Sequence, residues 1–449
     1  MDMTRRGWLK SAVGLAATSA VRSEPLPAQE PARPKLYIVL WFDTEDYILP
    51  QSDDAAKRIA AFLTSQRVRA TFKVVGEKGR TLERRGRSDV IGALREHEIG
   101  YHSNTHSQHP TVAPGFDDLK RIFGQTPTCY GQPGNSWAPE CHGALEKWGV
   151  RVYLDEAQHV GLDGKPFWYG GLLNIFNLPD GVKLRPSDDW SNLDKAKADF
   201  QEIYSRATSA APGGLLSLYF HPCEFIHQAF WDAVNFSNGA NPAPADWKLP
   251  PMVPAEKSEQ HFKYLENLVV YMKSFPDAQF VTASEVLKLH PDSAKMRPFT
   301  LTDIQEIAPA SAGGATFYTG PDYALTAGEI LVVLNKFVAG IVRKRSAEAI
   351  LLDRTVLGPG SAAPELRSPM EFSWSEFERA LLDTADQLER THQVPVAVWF
   401  GSTAVPPESY LAAVAQVCTT LISRSEPPAK VTVAPSKLVA AKYVAEDTP

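Results

Sequence analysis

The stretch KLYIVLWFDTED, residues 35 to 46, decides the fold. Its part KLYIVLWF is a near-continuous apolar run, which is typical of a strand buried on both faces of a parallel sheet. Two similar runs, RATFKVV from residue 69 and GGLLSLYF from residue 213, are separated from it by amphipathic segments. This alternation continues from Lys35 to about His290. It indicates repeated βα units, so the sequence predicts an α/β fold around a mostly parallel sheet.

The segments between the apolar runs predict helices. They cover Asp53 to Ser65, Ser88 to Glu96 and Asn192 to Arg206, and Ser52 is the expected N-cap of the first. We interpret the Arg-rich stretch from Arg80 to Arg87 as a solvated loop. The residues with reactive side chains come just after strand ends, where the loops of barrels and open α/β folds converge on one cleft.

Three acidic residues end the first strand in WFDTED. If the strand breaks after Asp43, Asp43 and Asp46 both reach the cleft, and one can act as a base while the other binds a metal ion. Glu45 remains an alternative to Asp46 as the acidic ligand. A surface acidic turn or a helix cap is the competing interpretation of this cluster.

Histidines supply the second part of the pattern. His102 and His106 in GYHSNTH have a spacing that puts both imidazoles on one side of a helical turn, where they can bind a common ion. His109 precedes a proline and is a competing metal ligand. We expect it to lie in a loop or to contact the metal ligands and not the metal itself. His221 directly follows GGLLSLYF, so we expect it beside the acids, with burial in the core as the alternative. Acids, a histidine pair and a late histidine suffice to hold one divalent cation, activate water and protonate a leaving group.

On these motifs the chain resembles the polysaccharide deacetylases, the NodB-type carbohydrate esterases. The likeness covers about Lys35 to His290. It implies a distorted (β/α) barrel that holds one divalent metal ion, with zinc as the expected ion. By this resemblance Asp43 is the general base, Asp46 the metal aspartate, His102 and His106 the metal histidines, and His221 the general acid.

Several positions depart from the family's pattern. Gly131 stands where the family has an arginine that orients the catalytic aspartate, so Asp43 is expected to lose a cationic neighbour. Gly134 can still supply a backbone N–H that binds the oxyanion of the substrate. Asp155 is the nearest match to the family's partner of the late histidine, and Ser107 replaces a proline. These departures bear on substrate and turnover and leave the three expected metal ligands in place.

The N-terminal residues predict export. TRRGWLK from Thr4, followed by SAVGLAATSAV, matches a twin-arginine signal peptide, which we assign to residues 1 to 28. The mature protein is then expected in the periplasm or outside the cell, with no membrane span. The net charge of −6 and the lack of a basic cluster argue against binding to nucleic acid. The cysteines lack the spacing of a zinc site; a disulfide between Cys129 and Cys141 and free buried thiols both remain open.

The composition changes near Met296. We therefore predict a barrel domain over residues 29 to 295 and a mainly helical domain over residues 296 to 449. Its expected helices cover Phe299 to Ile307, Leu325 to Ile341, Ser373 to Thr391 with a partner continuing through VPVAVWFG, and Ser409 to Ile422. The pieces AGEILVVLNKFVAG and QVPVAVWFGSTAVPPESYLAAVAQV faintly resemble the pseudomurein-binding repeats of archaeal cell-wall proteins, which implies contact with a cell wall.

The leading functional hypothesis is a metal-dependent hydrolase that removes acetyl groups from an N-acetylated polysaccharide or cell-wall glycan by cleaving an amide C–N bond. Two alternatives remain: a glycan-binding protein on the same fold that has lost turnover, and a hydrolase of small linear or cyclic amides. The missing arginine favours both alternatives, whereas the complete set of Asp and His residues favours the two hydrolases. Aromatic residues after His221 either line the cleft or pack on one another; they are Phe230, Trp231, Phe236 and Trp247.

Overall fold

The structure is a computed structural model. It describes residues 34–106, 113–134, 141–155, 166–176, 179–186, 189–209, 213–320, 323–344, 350–353, 356–361, 364–424 and 426–437. The expected signal peptide, Ser107 and His109 lie outside these residues. Within these ranges, no helix has the length and apolar character needed to cross a membrane.

One large sheet organises the first two thirds of the chain. Its strands lie in the order β6-β7-β5-β4-β3-β2-β1-β8, and β9 pairs with the first half of β1. All pairs are parallel except β6 with β7, which confirms the predicted mostly parallel sheet. The strands are β1 (Lys35–Thr44), β2 (Thr71–Val74), β3 (Glu98–Tyr101), β4 (Cys129–Tyr130), β5 (Val152–Leu154), β6 (Phe167–Tyr169), β7 (Leu172–Ile175), β8 (Gly213–Phe220) and β9 (Ala278–Val281).

Helices connect these strands, and the three helices predicted between the apolar runs are present as α1, α3 and α7. Ser52 is not the N-cap of α1, because the helix already begins at Gln51 and Pro50 is its N-cap residue. The helices are α1 (Gln51–Ser65), α2 (Gly76–Arg84), α3 (Ser88–Arg95), α4 (Ala113–Phe123), α5 (His142–Lys147), α6 (Pro179–Lys183), α7 (Leu193–Ala207), α8 (Trp231–Asn235), α9 (Ala255–Lys273) and α10 (Ala283–Val286).

The sheet is curled, with a helix-covered outer face and a smaller inner face. Along β1 the side chains alternate, so Ile38 and Leu40 join the large core under the helices while Val39 and Trp41 join a second buried cluster. That inner cluster also contains side chains of β5, β7 and β9 from distant parts of the sheet. Among the described residues no strand pair joins β6 to β8 or β9. The predicted distorted (β/α) barrel is thus confirmed, in an open form.

A buried ionic network holds the segment that follows β1. Lys78 of α2 donates to the Asp46 carbonyl at 2.5 Å and to Ser52 Oγ at 2.9 Å, and it pairs with the Asp53 carboxylate. Arg85 also binds Asp53, with a shortest distance of 3.0 Å. The interpretation of Arg80 to Arg87 as a solvated loop is therefore wrong, because much of it is helix α2 and because Arg85 and Arg87 bind acids of α1.

The remaining residues form a second group of elements. They are β10 (Pro298–Phe299), α11 (Leu301–Ser311), β11 (Tyr318–Thr319), β12 (Ala324–Leu325), α12 (Ala327–Val342), β13 (Ile350–Leu351), β14 (Met370–Ser373), α13 (Trp374–Thr391), β15 (Val398–Phe400), β16 (Thr403–Val405), α14 (Pro407–Arg424) and β17 (Lys430–Val433). The mainly helical character matches the expectation. The stretch VPVAVWFG does not continue a helix, because β15 and β16 pair there as a hairpin.

This second group has a buried core of its own, built mainly from α11, α12, α13 and α14. The two groups meet where Phe317 packs edge-on against Phe167 of β6, with ring centroids 5.6 Å apart. Phe317 belongs to the large core of the barrel and Ala294 to the second core, so the cores overlap in sequence around residues 294 to 317. A domain boundary near Met296 stays a prediction. The four cysteines are buried thiols, so Cys129 and Cys141 are not joined by a disulfide.

Candidate active site

The end of β1 forms the floor of a cleft. Because side chains alternate along an extended chain, Asp43 lies on the same inner face as Val39 and Trp41, and Glu45 follows on that side. The cleft has a volume of about 300 Å³. Its lining residues are Asp43, Glu45, His102, His106, Gln132, Gly134, Asp155, His221, Phe230 and Asp232.

Glu45 and the two motif histidines come together in this cleft. Glu45 Oε2 lies 3.0 Å from His102 Nε2 and 3.3 Å from His106 Nε2. The histidine pair does not sit on a helical turn, since residues 102 to 106 contain only bends and irregular backbone. Ser103 has a left-handed backbone, with φ of +69°, which is uncommon for a residue other than glycine. This turn, rather than a helix, brings both imidazoles to the same carboxylate oxygen.

Asp46 does not join them. Its Oδ1 accepts the backbone N–H groups of Ile48 at 2.8 Å and Leu49 at 3.1 Å, and its Oδ2 lies 3.0 Å from His227 Nε2. The carboxylate therefore fixes the turn that leads into α1, on the opposite side of the chain from Glu45. In this structure Asp46 therefore does not lie beside His102 and His106, and Glu45, the alternative acid, does.

Neighbouring groups orient these three side chains. His102 Nδ1 lies 2.8 Å from the Gly131 carbonyl, the distance of a hydrogen bond from an N–H to that oxygen. His106 Nδ1 faces Asp232 Oδ2 at 3.8 Å. Trp231 donates its Nε1–H to Glu45 Oε1 at 2.8 Å, so the second oxygen of Glu45 is left to face the histidines. The aromatic segment after β8 is therefore part of the site.

Charge complementarity holds the cluster together. Burial alone would raise the pKa of Glu45, but the positive charge of His106 and the contact with His102 hold it well below its usual range. Burial would likewise lower the pKa of His106, and Glu45 raises it instead. The carboxylate is thus ionised, and positive charge beside it is favoured.

The donor set suits a divalent metal ion. One carboxylate and two imidazoles are ligands that zinc takes, with a position left open for water or substrate. If His102 Nδ1–H donates to Gly131, the neutral ring presents a lone pair at Nε2 to the Glu45 carboxylate, and two acceptors 3.0 Å apart require a proton or a cation between them. Among the residues that the structure describes, no group of three or more His, Cys, Asp or Glu side chains stands in a geometry that could hold a metal ion; Glu45 contacts His102 and His106 directly instead.

His221 and Asp43 form the reactive pair beside this cluster. His221 Nε2 lies 3.8 Å from Asp43 Oδ2, and Nδ1 lies 3.5 Å from Glu224 Oε2. Burial would lower the pKa of His221, but Glu224, Glu45 and Asp43 outweigh it and raise the pKa to about 9. The imidazole is therefore protonated at neutral pH. Arg185 in turn binds Glu224 at 2.8 Å.

The partner expected for His221 from the sequence was Asp155, and the contact found is Glu224. Glu224 lies three residues after His221, in the 3₁₀ turn Pro222–Phe225, and also accepts the His221 backbone N–H at 3.2 Å. Asp155 is buried in the same cleft, and Gly134, which is exposed, lines its wall. The motif HPCE was the sequence signal for the contact between His221 and Glu224. A Glu three residues after an N-cap residue, here His221, can close a capping box.

Asp43 has a cationic neighbour after all. Lys73 of β2 lies directly beside it in the sheet register, and Lys73 Nζ is 3.0 Å from Asp43 Oδ1. The expectation that Gly131 leaves Asp43 without a cation is therefore wrong. A lysine in the middle of the apolar run RATFKVV was the sequence signal for it, since a charged residue is buried in a strand only when it is paired.

Comparisons with known proteins give similarity at the level of solved structures. No protein-family model matches the sequence, and no curated protein matches it. A protein of Mycobacterium smegmatis described as a polysaccharide deacetylase is 13% identical, with a TM-score of 0.38 over 60% of this chain and 94% of that one. An allantoinase is 13% identical, with a TM-score of 0.41 over 60% of this chain and 96% of the other. The 4-α-glucanotransferase of Thermococcus litoralis is 14% identical, with a TM-score of 0.41 over 57% and 40%. Similarity this low assigns no activity, and function has to be argued from the cleft.

Proposed function

We propose that this chain is a metal-dependent hydrolase that cleaves amide C–N bonds and removes acetyl groups from an N-acetylated polysaccharide or cell-wall glycan. Glu45, His102 and His106 would hold one divalent ion, with zinc as the expected ion. When bound, such an ion supplies a water of lowered pKa and polarises the acyl oxygen of the substrate.

Asp43 and His221, which lie beside the proposed ion site, have complementary roles in this reaction. Asp43 faces the cleft and takes a proton from the attacking water as general base. His221 is protonated at neutral pH, so it gives its proton to the leaving amine. Water adds to the acyl carbon, the C–N bond breaks, and the products are acetate and the free amine. A backbone N–H near Gly134 would stabilise the oxyanion.

One observation supports this proposal above the others: the Asp43 carboxylate and the His221 imidazole lie 3.8 Å apart, next to Glu45, on which His102 and His106 converge. The test measures acetate release and bound metal together on the purified protein, with chitooligosaccharides and peptidoglycan fragments as substrates. We expect acetate release that requires a full equivalent of metal. Release that persists in the metal-free protein would contradict the proposal.

The two alternatives differ in what this experiment would find. A glycan-binding protein without turnover would retain these substrates and release no acetate. The argument for it was the missing arginine at position 131, and Lys73 supplies a cation beside Asp43 instead. A hydrolase of small amides would leave the glycans intact and cleave small linear or cyclic amides in the same assay.

The hydrogen bond from Trp231 to Glu45 gives a prediction about metal affinity. Replacing Trp231 by phenylalanine keeps an aromatic ring and removes the N–H that orients Glu45. We expect metal affinity to fall about 10- to 100-fold, the usual effect of losing a group that orients a ligand. Competition with a chelator measures it. Trp247→Phe is the matched control, because the Trp247 N–H binds the Pro242 carbonyl; an equal loss there would contradict the assignment.

Export and cell-wall contact complete the proposal. The twin-arginine sequence at residues 4 to 10 supports a periplasmic or extracellular location. The second group of elements, over residues 296 to 449, would bind the cell wall. This part of the proposal rests on the sequence motifs alone.

A further inference from the structure

Lys73 is a completely buried ammonium group inside the curled sheet. Its side chain has 0% exposure, and that of Asp43 has 4%. Lys73 Nζ lies 3.0 Å from Asp43 Oδ1, donates to the Leu154 carbonyl of β5 at 2.8 Å, and lies 4.2 Å from the ring centroid of Trp41. A buried charge needs such partners, because water is not there to solvate it.

Two glycines make room for this side chain. A Cβ atom on Gly131 would lie 2.1 Å from Lys73 Nζ and 2.3 Å from the Leu154 carbonyl oxygen. A Cβ atom on Gly100 would lie 2.9 Å from Lys73 Cγ. A side chain at position 131 would therefore collide with Lys73 and with the backbone of β5. The Gly131 carbonyl also accepts the hydrogen bond from His102, so one residue serves both parts of the site.

We propose that Lys73 is the positioning residue of Asp43 and takes the place of a cation at position 131. It binds Oδ1 of Asp43, which leaves Oδ2 toward His221 in the cleft. Lys73 acts through Asp43 and has no contact with the substrate. The consequence for turnover rests on the proposed function, whereas the coupling between the two side chains does not.

A double-mutant cycle tests the effect on turnover. The variants are Lys73→Met, Asp43→Asn and both together. We expect Lys73→Met to lower kcat about 10- to 100-fold, with KM and bound metal unchanged. In the Asp43→Asn protein, which has lost the group that Lys73 positions, adding Lys73→Met should lower kcat no further. A full second loss of kcat in the double variant would overturn the proposal.

The same cycle in thermal unfolding is independent of activity. Lys73→Met removes the nearest cation of the buried Asp43 carboxylate and leaves it only the more distant imidazoles of His102 and His221, so Tm should fall by on the order of 10 °C. Adding Asp43→Asn removes that charge and should recover a large part of the loss. Lys78→Met is the matched control: Lys78 is also buried but pairs with Asp53, so its effect should add to that of Asp43→Asn. Additive losses for Lys73 and Asp43 would overturn the coupling. A protein that shows coupling but hydrolyses nothing would count against the proposed function alone.

Discussion

Replacing Glu45 by glutamine is expected to abolish stoichiometric metal binding. Glutamine keeps the shape and the hydrogen bond from Trp231, but it removes the negative charge that faces His102 and His106. Two imidazoles alone are too few ligands for a stable tetrahedral site with one open position. Zinc or cobalt content after exhaustive dialysis measures the effect. His102→Ala should have the same result.

The matched control for this experiment is the neighbouring acid. Asp46→Asn should keep the full metal equivalent, because Asp46 binds the backbone of Ile48 and Leu49 and faces His227 instead of the cleft. Its effect is expected on stability. If Asp46→Asn empties the site and Glu45→Gln does not, the ligand assignment is reversed, and the geometry of this turn is different in the metal-bound protein.

Replacing Asp43 by asparagine is expected to lower turnover of any accepted substrate by a factor on the order of 100 or more, which is the usual contribution of a general base. Bound metal should not change, because Glu45 and not Asp43 contacts both histidines. Initial rates and metal content on the same preparation measure both quantities. Loss of the metal in this variant would show that Asp43 is a ligand and that the roles of the two acids need exchange.

The order of the motifs was enough to predict the place of the site. Asp43 lies at the end of β1, and His221 directly follows β8. His102 and His106 both follow β3, and the carboxyl ends of these parallel strands meet at one edge of the sheet. The sequence also contained enough information to choose Glu45 over Asp46 as the acid that faces the cleft. Side chains two residues apart share a face of an extended chain, so Glu45 and not Asp46 belongs with Asp43.

Other contacts could not be predicted, because nothing local in the sequence encodes them. Trp231 reaches Glu45 over 186 positions of the chain. The sequence around Trp231 is equally consistent with aromatic residues that pack on one another. In the structure Trp231 both donates a hydrogen bond to Glu45 and packs its ring against Tyr47. The stretch from Arg80 to Arg87 suggested a solvated loop because Asp53, the buried partner of Arg85 and Arg87, is distant in sequence.

The position of β1 in the sheet has a consequence for how the chain acquires its fold. This strand carries Asp43 near its end and leads directly into Glu45. Its neighbours are β2, β8 and β9, of which the last two come from residues 213 to 220 and 278 to 281. Pairing over such separations makes folding slow, because long loops must close first. During synthesis, the edges of β1 that pair with β8 and β9 therefore have no partner until most of the barrel has been synthesised. Nascent chains that stop before β9 would present that edge to other chains and would be prone to aggregate.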